Sequence, residues 1–200
     1  MSVTFPAPSE YDAVAFFGAA WAVYDPATIP WIADEIAYAR SLIELGVPAL
    51  GICFGGQVLA AAVGGTVSRA PVPEIGWTTV ASSEPGLIDP GPWLEWHFDR
   101  FTLPPGVPAL ARTALATQAF RYGRALGLQF HPEVTDEVLG AWMASGGAAE
   151  LHRLGLDPSA LVEQSRTLAD GAAARADELV RRFVLDVARR PVQPLLTGKL

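Results

Sequence analysis

Residues 48–57 read Pro48-Ala49-Leu50-Gly51-Ile52-Cys53-Phe54-Gly55-Gly56-Gln57. Pro48–Cys53 is a short apolar run, the pattern of a strand buried on both faces. From Gly55 to Val63 the sequence reads as a helix, closed by Gly64-Gly65. A strand that turns directly into a helix, with Gly51 and Gly55 two residues either side of Cys53, has the design of a nucleophile elbow. The side chain stands on a tight turn, and only small neighbours avoid a clash. A thiol at a helix N-terminus feels the positive end of the dipole, which favours thiolate. The N–H of Phe54 points at the same space and can stabilise an oxyanion. A lone cysteine is more often a buried core residue, but the glycine frame at this junction favours the nucleophile.

Working outward, Ala13–Phe17 is another continuous apolar run, ending at Gly18, and predicts a second buried strand. Pro30–Leu45 predicts a helix whose Ile32, Ile36, Ala39 and Ile43 form one apolar stripe. Gly46 and Pro48 stop it. Strand and helix alternating through short links is α/β logic. The middle of the chain holds short strand-like pieces at Thr66–Arg69, Ile75–Ala81, Trp93–Phe98, Gln118–Tyr122 and Ala125–Phe130, with Tyr122-Gly123-Arg124-Ala125 as a hairpin turn. The last third is helical. Thr135 caps a helix with Asp136 and Glu137 in its first turn, and Asp157-Pro158 opens another. In the last helix Ala176, Val180, Phe183 and Val187 form the apolar stripe. There is no internal repeat, low-complexity block or linker. The chain therefore reads as one domain over 1–190, its 151–190 helices packing on the rest, followed by a 191–200 tail.

Composition narrows the function classes. Hydrophobic residues make up 50% of the 200 and charged residues 18%, a folded and not a disordered balance. The longest apolar run, Ala13–Tyr24, has twelve residues, short of the roughly 20 that span a membrane. The N-terminal residues have neither the basic nor the apolar region of a secretory signal, so a cytoplasmic location is expected. A net charge of −7 argues against nucleic acid or an anionic membrane as partner. One cysteine excludes an internal disulfide, and three scattered histidines speak against a metal site. No Lys-Ser/Thr follows Gly64-Gly65, so that pair is not a phosphate loop. No cofactor is expected.

The second chemical signal is Gln129-Phe130-His131-Pro132-Glu133. His131 and Glu133 lie two apart in an extended segment and can face the same side. A cysteine nucleophile needs a base, and the base needs an acceptor that fixes its tautomer and steadies the imidazolium. His131 supplies the first and Glu133 the second. His97 is either a substrate contact or a packed strand residue, and His152 reads as a surface residue.

With both motifs in hand, GICFGGQ followed by QFHPE resembles the class I, triad-type glutamine amidotransferases. Phe17-Gly18-Ala19 followed by Val23-Tyr24-Asp25 resembles their glycine loop. Glu74-Ile75-Gly76-Trp77, Trp96-His97-Phe98-Asp99 and the C-terminal helices are similar to the stand-alone, GMP-synthase-like branch. The resemblance implies a flavodoxin-like α/β fold: a mostly parallel central sheet, helices on both faces and a mixed antiparallel edge. It implies a glutaminase reaction in which Cys53 attacks the glutamine side-chain amide, His131 protonates the leaving ammonia, Glu133 orients His131, and a γ-glutamyl thioester is hydrolysed. It implies an oxyanion hole from Phe54 and the Gly18–Ala19 loop, substrate contacts at Gln57, His97, Phe98 and Asp99, and ammonia passed to a separate synthetase partner.

Three departures qualify the match. The family loop is usually Gly-Gly-Pro, whereas this chain has Gly18-Ala19-Ala20. Phe98 stands where the branch usually has Gly, which predicts a narrowed substrate end. The family also starts with a strand, a helix and a second strand before the region matching Ala13–Phe17. The few residues ahead of Ala13 cannot supply that unit, so an unpaired edge and a self-associating or weakly active chain are expected. The alternatives are a γ-glutamyl amide or peptide hydrolase on the same residues, and an inactive truncated homologue that acts as a binding partner.

Overall fold

The computed structural model describes residues 4–24 and 29–192. Among them the chain forms β1 (Val14–Phe16), α1 (Pro30–Leu45), β2 (Ala49–Ile52), α2 (Phe54–Ala62), β3 (Thr66–Thr79), β4 (Ala81–Ser82), β5 (Pro92–Thr102), β6 (Ala109–Arg112), β7 (Thr117–Tyr122), β8 (Ala125–Leu128), α3 (Asp136–Trp142), α4 (Ala148–Arg153) and α5 (Pro158–Arg182). Six strands form one sheet in the order β1-β2-β8-β7-β6-β4. β1 and β8 flank β2 in parallel. From β8 outward through β7, β6 and β4 the pairing is antiparallel, which makes the mixed edge. At the other side β1 is the edge among the described residues, with Phe16 buried and Ala15 exposed.

All four residues of β2 are buried. Ala49 packs in one core with Ile32, Leu42, Val58 and Leu59 of α1 and α2. Leu50 and Ile52 face the opposite core, which holds Leu126, Leu128, Leu179 and Phe183. Helices therefore cover both faces of β2, whereas β1, predicted to be buried on both faces, buries only Phe16 and leaves Ala15 exposed. Cover on both faces is why β2 is a continuous apolar run rather than an alternation. α1 has the bounds its periodicity predicts, and Gly46 closes it at φ 71°. The Gly123-Arg124 turn joins β7 to β8 with Tyr122 opposite Ala125. The Thr135 hydroxyl accepts from the Val138 N–H, and the Asp157 carboxylate from the Ser159 N–H, so both predicted caps form.

β3 and β5 pair separately as a long antiparallel ribbon. The sequence pattern predicts two strands, Thr66–Arg69 and Ile75–Ala81. Thr66–Thr79 is instead one strand with a register shift between Arg69 and Glu74, where Pro71 and Pro73 cannot donate to a ladder. α3, α4 and the start of α5 pack on this ribbon through Leu139, Leu151 and Leu161. The predicted stripe of the last helix is shifted by one residue at its centre. Leu179, not Val180, is buried with Phe183 and Val187, and Val180 is exposed. Among the described residues no helix is long and apolar enough to cross a membrane. Asp25 and the tail beyond 192 lie outside the described residues.

Candidate active site

Cys53 caps α2 with φ 52° and ψ −108°, the one non-glycine positive φ among the described residues. Such a backbone is strained and persists only when its surroundings over-determine it. Three glycines do so here by closeness, not by φ. A β-carbon on Gly51 would lie 2.4 Å from the Gly55 carbonyl oxygen, one on Gly55 2.3 Å from that of Phe16, and one on Gly56 2.1 Å from that of Leu128. The elbow is thus locked between the ends of β1 and β8, and the Cys53 N–H donates to the Leu128 carbonyl at 2.9 Å. Cys53 is buried. Phe54 opens α2, so its N–H belongs to the first turn, whose amides have no partner within the helix.

His131 follows β8, and its N–H donates to the Leu94 carbonyl of β5 at 2.8 Å, which pins the loop across the sheet end. Its Nδ1 lies 2.7 Å from Glu133 Oε1. Trp142 of α3 packs edge-on against the ring at 4.9 Å. Burial alone would lower the pKa of this imidazole. The nearby Cys53 sulfur, then the Glu133 carboxylate, outweigh burial and push it up to about 10. The site therefore favours imidazolium beside the sulfur. Gly18 lies against both: a β-carbon there would come within 3.1 Å of His131 Cε1 and 3.7 Å of Cys53 Cβ.

A chain of amides runs behind the sulfur. The Gln129 side-chain amide donates to Cys53 Sγ at 3.8 Å. Gln57 Nε2 donates to Gln129 Oε1 at 3.4 Å and to the Asp99 carbonyl at 3.5 Å. On β5 side chains alternate, so Glu95, His97, Asp99 and Phe101 point inward, and Trp96, Phe98 and Arg100 are only half-buried. The Asp99 carboxylate accepts from the Tyr24 hydroxyl at 3.1 Å and lies 3.7 Å from the Arg69 guanidinium. That guanidinium sits 4.7 Å over the Phe98 ring.

These elements enclose a cleft of about 710 Å³, lined by all ten site residues singled out in the sequence: Gly18, Ala19, Cys53, Phe54, Gln57, His97, Phe98, Asp99, His131 and Glu133. His152 is exposed on α4, away from it. Sequence reasoning missed Trp142, Arg69, Gln129 and the buried Glu95. Glu95 carried a legible signal: Glu95, His97 and Asp99 repeat at period two along a strand otherwise rich in aromatics. His97 lines the cleft, but its ring nitrogens are engaged inward. Nδ1 is 2.9 Å from the Asp99 carbonyl, and Nε2 is 3.2 Å from Glu95 and 3.4 Å from Glu74. Among the described residues no group of His, Cys, Asp or Glu is arranged to hold a metal ion.

Residues 7–147 match the family model described as glutamine amidotransferase class-I. The chain is 38% identical over 160 residues to a glutamine-hydrolysing GMP synthase of Aeropyrum pernix, covering 73% of this chain but 31% of that protein. It is 33% identical over 138 residues to a separate glutamine-hydrolysing GMP synthase subunit of Ignicoccus hospitalis, covering 64% of this chain and 70% of that one. The chain thus spans about a third or less of the longer relatives it matches, and more than two thirds of the separate one. A crystal structure of a glutamine amidotransferase from Thermotoga maritima superposes with a TM-score of 0.83 at 29% identity, over 92% of this chain and 83% of that one. One from Methylobacillus flagellatus superposes at 0.80 over 95% and 82%, and at 24% identity it speaks to the fold alone. The fold is accordingly the flavodoxin-like one, and the chain belongs to the class I glutamine amidotransferases.

Proposed function

We propose that this chain hydrolyses the side-chain amide of glutamine and releases ammonia for a separate synthetase partner. The Cys53 thiolate adds to the amide carbon, and the carbonyl oxygen becomes an oxyanion beside the Phe54 N–H and the Gly18–Ala19 loop. Collapse expels ammonia, whose nitrogen takes its proton from His131. Water, deprotonated by His131, then cleaves the γ-glutamyl thioester to glutamate and regenerates the thiol. Glu133 accepts from His131 Nδ1 throughout and holds the tautomer. Asp99 and Arg69 are the charges suited to the α-amino and α-carboxylate groups.

The observation that carries the reading is the meeting of a positive-φ cysteine at a helix N-terminus with an imidazole whose far nitrogen lies 2.7 Å from a carboxylate. The synthetase partner is supported by the similarity to a protein named as one subunit of a GMP synthase. Incubation with L-glutamine tests the function. Glutamate and ammonia should appear in equal amounts, and no release from the intact chain contradicts it. One observation favours a second reading, γ-glutamyl amides with larger leaving amines. The cleft is in the range of roughly 300–1,000 Å³ that suits larger ligands, and its rim carries Phe17, 60% exposed, and Trp21, 53% exposed.

A further inference from the structure

Glu95 has no exposed surface, His97 and Glu74 are buried with it, and none of the three is a member of the reacting set. Burying two carboxylates and an imidazole is costly unless mutual attraction and hydrogen bonds offset the loss of water. The three come from two strands. His97 stands opposite Glu74 in the β3–β5 register, and Glu95 is two residues earlier on the same inward face of β5. Gln118 of β7 adds a donor to Glu74 at 3.0 Å.

The partner of Nδ1 fixes which atom carries the proton there. A carbonyl oxygen only accepts, so His97 Nδ1 carries a proton toward Asp99. Nε2 lies at ion-pair distance from two carboxyl groups, 3.2 Å from Glu95 and 3.4 Å from Glu74, without an aligned hydrogen bond to either. Burial would lower the His97 pKa, but Glu74 and Glu95 overcome it and raise it to about 9. Burial raises Glu95. It would raise Glu74 too, but His97, Thr113 and Gln118 bring that carboxyl below its usual range.

We propose that Glu74, Glu95 and His97 form a buried clamp in which His97 is a positioning residue: its Nδ1–H holds the Asp99 carbonyl and so fixes the Phe98–Asp99 segment at the amino-acid end of the cleft. The same carbonyl accepts from Gln57, which leads through Gln129 to Cys53. The clamp therefore acts on substrate affinity through backbone position, with no contact to the reacting atoms. It rests on the reading of this cleft as a glutamine site.

The test separates the two ring nitrogens and needs no turnover. In a Cys53→Ala background, the Kd for L-glutamine is measured by calorimetry for His97→Asn, whose amide replaces Nδ1, and for His97→Gln, whose amide replaces Nε2. The clamp predicts that His97→Gln binds at least fivefold more weakly than His97→Asn. Equal affinities, the reverse order, or a parent that binds no glutamine would overturn it. Glu74→Gln keeps the volume and the register, and gives a second reading if the His97 variants do not fold: at least threefold weaker binding supports the clamp, and parental binding overturns it. A wild-type chain that binds but does not hydrolyse glutamine would defeat the glutaminase reading alone.

Discussion

His131 Nδ1 lies 2.7 Å from Glu133 Oε1, so the carboxylate accepts a hydrogen bond from the Nδ1–H and leaves the other nitrogen of the ring on the cysteine side. The two residues are two apart, but the segment is not the extended run that the spacing predicts: Pro132 and Glu133 form a turn, and that turn brings the carboxylate to the ring.

Their loss should not be equivalent. His131 moves protons, a role worth about 10²–10⁴-fold, so His131→Ala should be near inactive. Glu133→Gln should keep more of the rate, because a hydrogen bond to Nδ1 survives. It also removes one of the groups that raise His131, so the imidazolium should be lost at lower pH and the alkaline limb of the kcat/KM profile should move down. Profiles of wild type and Glu133→Gln check both points. A larger loss in Glu133→Gln than in His131→Ala, or an upward move, contradicts the assignment.

Two glycines in the site should fail differently. Alanine at Gly18 meets the His131 ring at 3.1 Å, a neighbour that can tilt. Gly18→Ala should therefore lower kcat by tenfold or more with little change in Tm. Alanine at Gly55 meets the Phe16 carbonyl at 2.3 Å, and backbone must move. Overpacking costs about 1–3 kcal/mol or more, so Gly55→Ala should lower Tm by several degrees. Thermal unfolding and steady-state kinetics on both variants decide it.

The His97 clamp carries its own pH signature. A histidine raised from 6.5 in the unfolded chain to about 9 when folded adds stability that is whole below pH 6.5 and is lost as pH rises through about 9. Tm should fall between these values, and the fall should be smaller in His97→Asn. A wild-type profile that is flat across the window would show that His97 is neutral in the fold.

The parallel half of the fold is legible in the sequence because burial on both faces and helix periodicity are local signals. Ala49–Ile52 and Pro30–Leu45 stand where those signals put them. Cys53, His131 and Glu133 are legible because glycine frames and two-residue spacing are local as well. β6, Ala109–Arg112, is not, because Ala-Leu-Ala-Arg has neither β-branched residues nor clean alternation, and β7 alone holds it in the sheet with the two-residue β4 beside it. The stripe of α5 misleads at Val180 because a long helix changes partners. Its start packs on the ribbon and its end on the sheet, so no single stripe serves both. The Glu74–His97 pairing depends on a register shift at two prolines, which no local pattern sets.

In the proposed reaction Cys53 forms a γ-glutamyl thioester, and that adduct can be weighed. The chain should be mixed with L-glutamine, quenched in acid within the steady state, digested and measured by mass spectrometry. The peptide that contains Cys53 should carry one γ-glutamyl group, and Cys53→Ala should carry none and release no ammonia. Ammonia release by Cys53→Ala, or an acyl group on any other residue, would contradict the account.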